Sequence, residues 1–281
     1  MRRWIRRSAH AVWRGHACVL LLGVSAAGCG LKSPGLSLEA REVADDATEA
    51  EPTLAVGATL AAFPAAALSP STLTLADAVA AQQGLPDLMV DATCLTVSTD
   101  GNVVTYELDG CSGPWGQAEV SGREVATWSA LGSGVFEVSF QSDGLEVEGR
   151  AAEHAGIAEI VVHEGGGRTI SWSGGYEGTS ALGRAVSHEA DLVVSLPGGG
   201  VVELDGTAST TIGLRGLEVE YDGLARPGPR GTCPSGVVRV TTKITRLTLT
   251  LTFDGSSEVF VESSRGGHGT LDLECTPAEG E

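Results

Sequence analysis

Residues Arg246–Phe253 read RLTLTLTF, and this stretch decides the fold. Leu247, Leu249, Leu251 and Phe253 alternate with Thr248, Thr250 and Thr252. A period of two puts every apolar side chain on one face of a strand and every hydroxyl on the other. Strict alternation belongs to antiparallel sheets with one buried and one wet face. Outward from this stretch the same period recurs in Leu95 and Val97, in Val104, Tyr106 and Leu108, in Phe136, Val138 and Phe140, in Ile170 and Trp172, and in Leu217, Val219 and Tyr221. About a dozen such runs, parted by glycine-rich turns, fill the chain from Cys94 onward. So many strands splay if kept flat, so curling or splitting is expected. The predicted fold class is all-β: an antiparallel meander curled into an open or partly closed barrel, with a two-sheet sandwich as the alternative.

An apolar-x-apolar-Asp-Gly motif recurs at Tyr106–Gly110, Val202–Gly206, Val219–Gly223 and Leu251–Gly255. Its copies follow no fixed period, which excludes a solenoid or propeller. Asp-Gly closes hairpins, because both residues accept positive φ, and this is the reading preferred here. Calcium binding by the aspartates is the alternative, without an EF-hand loop or nonapeptide repeat to support it.

Upstream of the strands, Ser71–Leu85 predicts one short helix, capped by Thr74 with Asp77 three residues on and stopped by Gly84 and Pro86. Residues 29–70 are rich in Ala, Pro and acids, among them Glu39, Glu42, Asp45, Asp46, Glu49 and Glu51. Their composition predicts a disordered acidic tether. The division expected is a signal segment over 1–28, a tether over 29–70, and a short helix plus β-rich domain over 71–281.

The first 28 residues carry Arg2, Arg3, Arg6, Arg7 and Arg14, then the apolar run Ala17–Val24, then small residues. These are the charged, apolar and cleavage regions of a secretory signal. The apolar run is shorter than the roughly 20 residues of a spanning helix. Ala26-Ala27-Gly28-Cys29 resembles the lipobox of bacterial lipoproteins, with Ala26 where Leu is commoner. The resemblance implies cleavage before Cys29, acylation of its thiol and new amine, and a membrane partner reached through that lipid. An ordinary signal-peptidase site at the same bond is the alternative. Because Gly30 lacks the aspartate of inner-membrane retention, the resemblance implies the outer membrane. Cleavage removes five arginines and no acid, leaving 13 basic against 36 acidic side chains, a formal charge of −23. Such a surface repels nucleic acid, and no nucleic-acid partner is expected.

Four further cysteines, Cys94, Cys111, Cys233 and Cys275, form an even set in an exported chain. Two disulfides are expected, with three pairings open and the sequence-local one, Cys94–Cys111 with Cys233–Cys275, preferred. No Cys-x-x-Cys spacing supports zinc. A Gly101-Asn102 turn sets Val97 opposite Tyr106 and Leu95 opposite Leu108, leaving Cys94 against Asp109. Cys111 then reaches Cys94 only if Asp109-Gly110 bends the chain back.

No catalytic motif stands out. His163-Glu164 and His188-Glu189 hold half of a zinc-protease signature without its second histidine. His154, His163, His188 and His268 are read as surface residues. Gly-x-Ser-x-Gly and P-loop motifs are absent from the sequence. Gly165–Gly167 and Gly198–Gly200 read as hairpin loops, Trp128 and Trp172 as core, and Trp115 as packing over a sheet end. Asp100–Tyr106 (DGNVVTY), Cys111-x-Gly113-Pro114, Cys233-Pro234 and Leu273-x-Cys275 together resemble uncharacterised β-rich lipoproteins of myxobacteria, a likeness that implies no activity. No catalytic, cofactor-binding or metal residue is assigned. The function expected is a non-enzymatic, lipid-anchored structural or interaction module. A carrier holding an apolar ligand in its curved sheet is the alternative, and a hydrolase or metalloenzyme the second.

Overall fold

The structure is a computed structural model that describes residues 17–20, 24–27, 35–89, 91–112, 119–180, 182–197, 201–226 and 233–273. Within these, the side chains of 17–27, 48–61, 112 and 226 lie outside the description. The sequence runs through β1 (Ala17–Leu20), β2 (Val24–Ala27), α1 (Leu38–Ala66), α2 (Leu75–Ala81) and a 3-10 segment Gln82–Leu88. Then come β3 (Leu95–Asp100), β4 (Val103–Ser112), β5 (Glu119–Gly132), β6 (Val135–Val147), β7 (Arg150–Val162), β8 (Arg168–Thr179) and β9 (Ala185–Leu196). The chain ends with β10 (Val202–Ile212), β11 (Arg215–Arg226), β12 (Ser235–Thr242), β13 (Thr248–Asp254), β14 (Glu258–Ser263) and β15 (His268–Asp272).

Strands β3 to β15 form one 13-stranded antiparallel sheet whose spatial order is the sequence order. The sheet is open, because β3 and β15 each pair on one side only. One continuous sheet replaces the sandwich alternative. Alternation is kept throughout: Leu247, Leu249, Leu251 and Phe253 are buried, while Thr252 is exposed and Thr248 and Thr250 are half-buried. Inner-face side chains from all thirteen strands join one core with α1 and α2. The β3–β4 register is the expected one, with Val97 opposite Tyr106 and Leu95 opposite Leu108.

Three of the four Asp-Gly motifs are not turns. Gly110, Gly206 and Gly223 all have positive φ and sit at register shifts inside β4, β10 and β11. They are β-bulges, which bend and twist a strand locally. Only Asp254-Gly255 lies in a hairpin turn, between β13 and β14. The physical reason is shared: positive φ suits a bulge as well as a turn, and the strand continues when apolar alternation resumes beyond the glycine. At Gly110 the bulge brings Cys111 to a Cα separation of 5.2 Å from Cys94, and the two form a disulfide. Cys233 is also disulfide-bonded. Cys275 lies outside the described residues.

The helical region departs from expectation. Residues 38–66, read as disordered tether, form α1, whose N-cap Ser37 accepts a hydrogen bond from the Ala40 amide. Alanine is the best helix former, and Ala40, Val43, Ala44 and Ala47 recur at helical spacing on the covered side. Three of the acids interspersed with them meet arginines. Glu39 pairs with Arg265, Glu42 with Arg215, and Asp46 with both Arg184 and Arg215. A helix of 29 residues is about 43 Å long, close to the length of a 12-residue strand, so α1 runs from one edge of the sheet to the other. At the far edge the Leu68 carbonyl accepts from Arg168, and the Gly134 amide donates to the Leu73 carbonyl. The short helix appears as α2, with the full Thr74–Asp77 capping box, and continues into the 3-10 segment over β3. β1 and β2 pair as a hairpin within the segment read as the cleaved signal.

Candidate functional site

The inner face carries one polar row. Tyr106 stands opposite Glu124, and Glu124 opposite Ser142. Farther along, His154 stands opposite Tyr176, Tyr176 opposite His188, and His188 opposite Thr210. All but Ser142 are buried. His154 and His188 are therefore core residues, which corrects the surface reading. Their phase was the available signal: His154 is in step with Ala152 and Ala158, and His188 with Val186 and Ala190.

His154 Nδ1 lies 2.8 Å from Glu124 Oε1, and the His154 amide donates to Ser142 Oγ at 2.7 Å. Nε2 of His154 and Oε2 of Glu124 are buried without hydrogen-bond partners. The Trp172 ring stacks on the imidazole at 5.9 Å and 18°. A β-carbon on Gly156 or on Gly174, which face each other, would come within 2.7 Å of that ring. The glycine pair thus makes room for the indole to lie flat against the strands. A carboxylate holding Nδ1 is the base-orienting half of a nucleophilic triad. Here the imidazole is fully buried under aromatic rings, and among the described residues no nucleophile reaches Nε2.

At one end of the row, Tyr106 donates to Gln82 Oε1 at 2.9 Å, and Gln82 Nε2 donates to the carbonyls of Pro64 and Ala78. This chain ties the end of α1 and α2 to the sheet. Burial pushes the Tyr106 phenol upward, so it stays a protonated donor. His188 Nδ1 lies 2.9 Å from Thr210 Oγ1, and burial lowers its pKa to about 4, so it is neutral at pH 7. Glu189, its sequence neighbour, points to the opposite face and lines an outer concavity of about 960 Å³ over β8–β13. Asp191, Thr207, Ser209, Glu218 and Glu220 line it too. His188-Glu189 thus cannot act as one metal site. His163 and His268 are exposed, and His163 pairs with Thr169 in the β7–β8 turn.

Among the described residues no three His, Cys, Asp or Glu side chains group as metal ligands. Asp205 accepts from the Gly223 amide, Asp222 pairs with Arg239, and Asp254 accepts from the Ser256 amide. Cys29 and Trp115 lie outside the described residues. Among the described residues no helix is long and apolar enough to cross a membrane. No protein family, no curated protein and no solved structure matches the chain.

Proposed function

We propose that the chain is a non-enzymatic envelope lipoprotein, anchored through Cys29, whose β-domain is an interaction module. One observation carries this reading: the inner face of the sheet is occupied by the chain's own α1 and α2 in a single core, so the surface offered outward is the polar outer face. A filled interior suits a module better than a carrier. The outer concavity, with Glu189 and Asp191, the Arg239–Glu220 pair and the hydroxyls of Thr207 and Ser209, is a surface for hydrogen-bonding or charged partners rather than for lipid chains.

Two measurements test the reading. Metabolic labelling with a palmitate analogue should mark the wild-type chain and not Cys29→Ser, which should also leave the membrane fraction. Native mass spectrometry of the envelope-purified protein should give the mass of the acylated chain alone. An unlabelled wild type ends the lipoprotein reading. A retained apolar ligand of several hundred daltons puts the carrier in its place.

A further inference from the structure

In a strictly sequential antiparallel sheet, every second turn lies on the same edge. The β8–β9, β10–β11, β12–β13 and β14–β15 turns therefore share one edge, and the first turns of α1 lie along it. Three of these turns carry an apolar tip. Leu182 is 73% exposed, Leu214 99% and Ile244 82%, and Leu38 at the start of α1 is 74% exposed. Glu39, Val43, Leu214 and Ile244 border a depression of about 340 Å³ between helix and turns. Turns two strands apart are about 10 Å apart, so the three tips form a line on the order of 20 Å long.

The charges on this edge are as unusual as its leucines. Arg184, Arg215, Lys243, Arg246 and Arg265 stand on these turns, in a chain of net charge −18. Arg184, Arg215, Arg246 and Arg265 pair with Glu39, Glu42 and Asp46 of α1 and Glu218 of β11, so the acids along these four turns are matched by cations. The opposite edge differs. Its described turn residues carry Asp100, Glu164, Asp254 and Glu258 against Arg168, with Arg226 and Arg230 in the β11–β12 connection, and its described exposed apolar residues, Leu73 and Leu131, are 50% and 55% exposed.

We propose that the edge bearing Leu182, Leu214 and Ile244 lies on the bilayer surface, with these side chains seated among the headgroups of a phospholipid membrane. The inference rests on the lipid-anchor reading for its orientation. Six residue-to-residue steps lead from Cys29 to Gly35 and reach at most about 20 Å. Gly35 abuts His268 beside the β14–β15 turn, on this same edge. A lipid on Cys29 therefore holds this edge, and not the other, within reach of the membrane. Apolar side chains entering the headgroup layer with cations beside them is the usual chemistry of interfacial binding.

The test uses the full-length chain in phosphatidylethanolamine–phosphatidylglycerol vesicles that contain brominated acyl chains. An environment-sensitive fluorophore is placed at Leu214→Cys, at Ile244→Cys, or at Ser133→Cys on the opposite edge. Quenching should be severalfold stronger at 214 and 244 than at 133. Equal quenching at all three sites, or stronger quenching at 133, overturns the proposal. The anchor is separated by repeating vesicle sedimentation with Cys29→Ser protein, with and without Leu182→Ser, Leu214→Ser and Ile244→Ser together. The triple substitution should lower partitioning about tenfold or more while leaving the thermal melt unchanged. Unchanged partitioning overturns the edge proposal, whereas an unacylated wild type overturns only the anchor.

Discussion

His188 shows how one buried side chain couples the fold to pH. Its folded pKa, about 4, lies below the ordinary histidine value of 6.5 because burial disfavours the charged ring. As pH falls, the unfolded chain takes up the proton first, so the contribution of neutral His188 is complete above about pH 6.5 and is lost on descent towards 4. The shift corresponds to roughly 3 kcal/mol. His188→Gln keeps a polar group near Thr210 but cannot titrate, and its denaturant-unfolding stability should be flatter than wild type between pH 6.5 and 4.5. Parallel curves for the two proteins would place the acid sensitivity elsewhere. The neighbouring pair Glu124–His154 is costly in another way. A buried polar atom without a partner costs about 1–3 kcal/mol, and this pair leaves two such atoms. Both histidines were legible from their phase with apolar neighbours. Glu124 was equally in phase with Ala126 and Trp128, yet nothing in the sequence shows that it meets a residue 30 positions away.

At the scale of elements, β13 carries the contrast that fixed the fold. Burying a leucine contributes about 1.5–3 kcal/mol, and a carboxylate in its place adds desolvation. Against a total stability of about 5–15 kcal/mol, Leu249→Glu should unfold the domain or leave it marginal. Thr252→Glu, on the exposed face, should cost under about 1 kcal/mol. Thermal melts of the two variants check this, and similar losses would contradict a one-sided sheet. The strands were legible because period-two alternation is a local property, and the Cys94–Cys111 bridge followed from the β3–β4 register together with a bend at Asp109-Gly110. The bulges were not, since Asp-Gly carries the same backbone preference into a turn or a strand. Helix α1 was half-legible. Ala40, Val43, Ala44 and Ala47 have helical spacing, but the acids among them look like a solvated tether until Arg184, Arg215 and Arg265 arrive from turns more than 130 residues downstream.

For the whole molecule, those arginines fasten the helix to the sheet. Asp46 is only 7% exposed and is held by Arg184 and Arg215 together. The double variant Arg184→Ala/Arg215→Ala strands a nearly buried carboxylate, and it should cost on the order of 2 kcal/mol, less than a fully buried pair because the arginines are partly solvated. Hydrogen exchange should quicken in the first turns of α1 before it does in β5–β9. Unchanged protection there would mean that apolar packing alone seats the helix. The strand order has a further consequence, which concerns export. A chain that leaves a translocation channel from its N-terminus can pair each strand with the one that emerged just before it, so no strand waits long with both edges bare. Helix α1 comes out first but finds its arginines only as the turns at 184, 215 and 265 appear. The Gly35–His268 contact forms late, once nearly the whole chain has emerged. On the proposed lipoprotein reading, export would build the sheet hairpin by hairpin, and a chain truncated before β14 would leave the start of its helix without the Glu39–Arg265 pair.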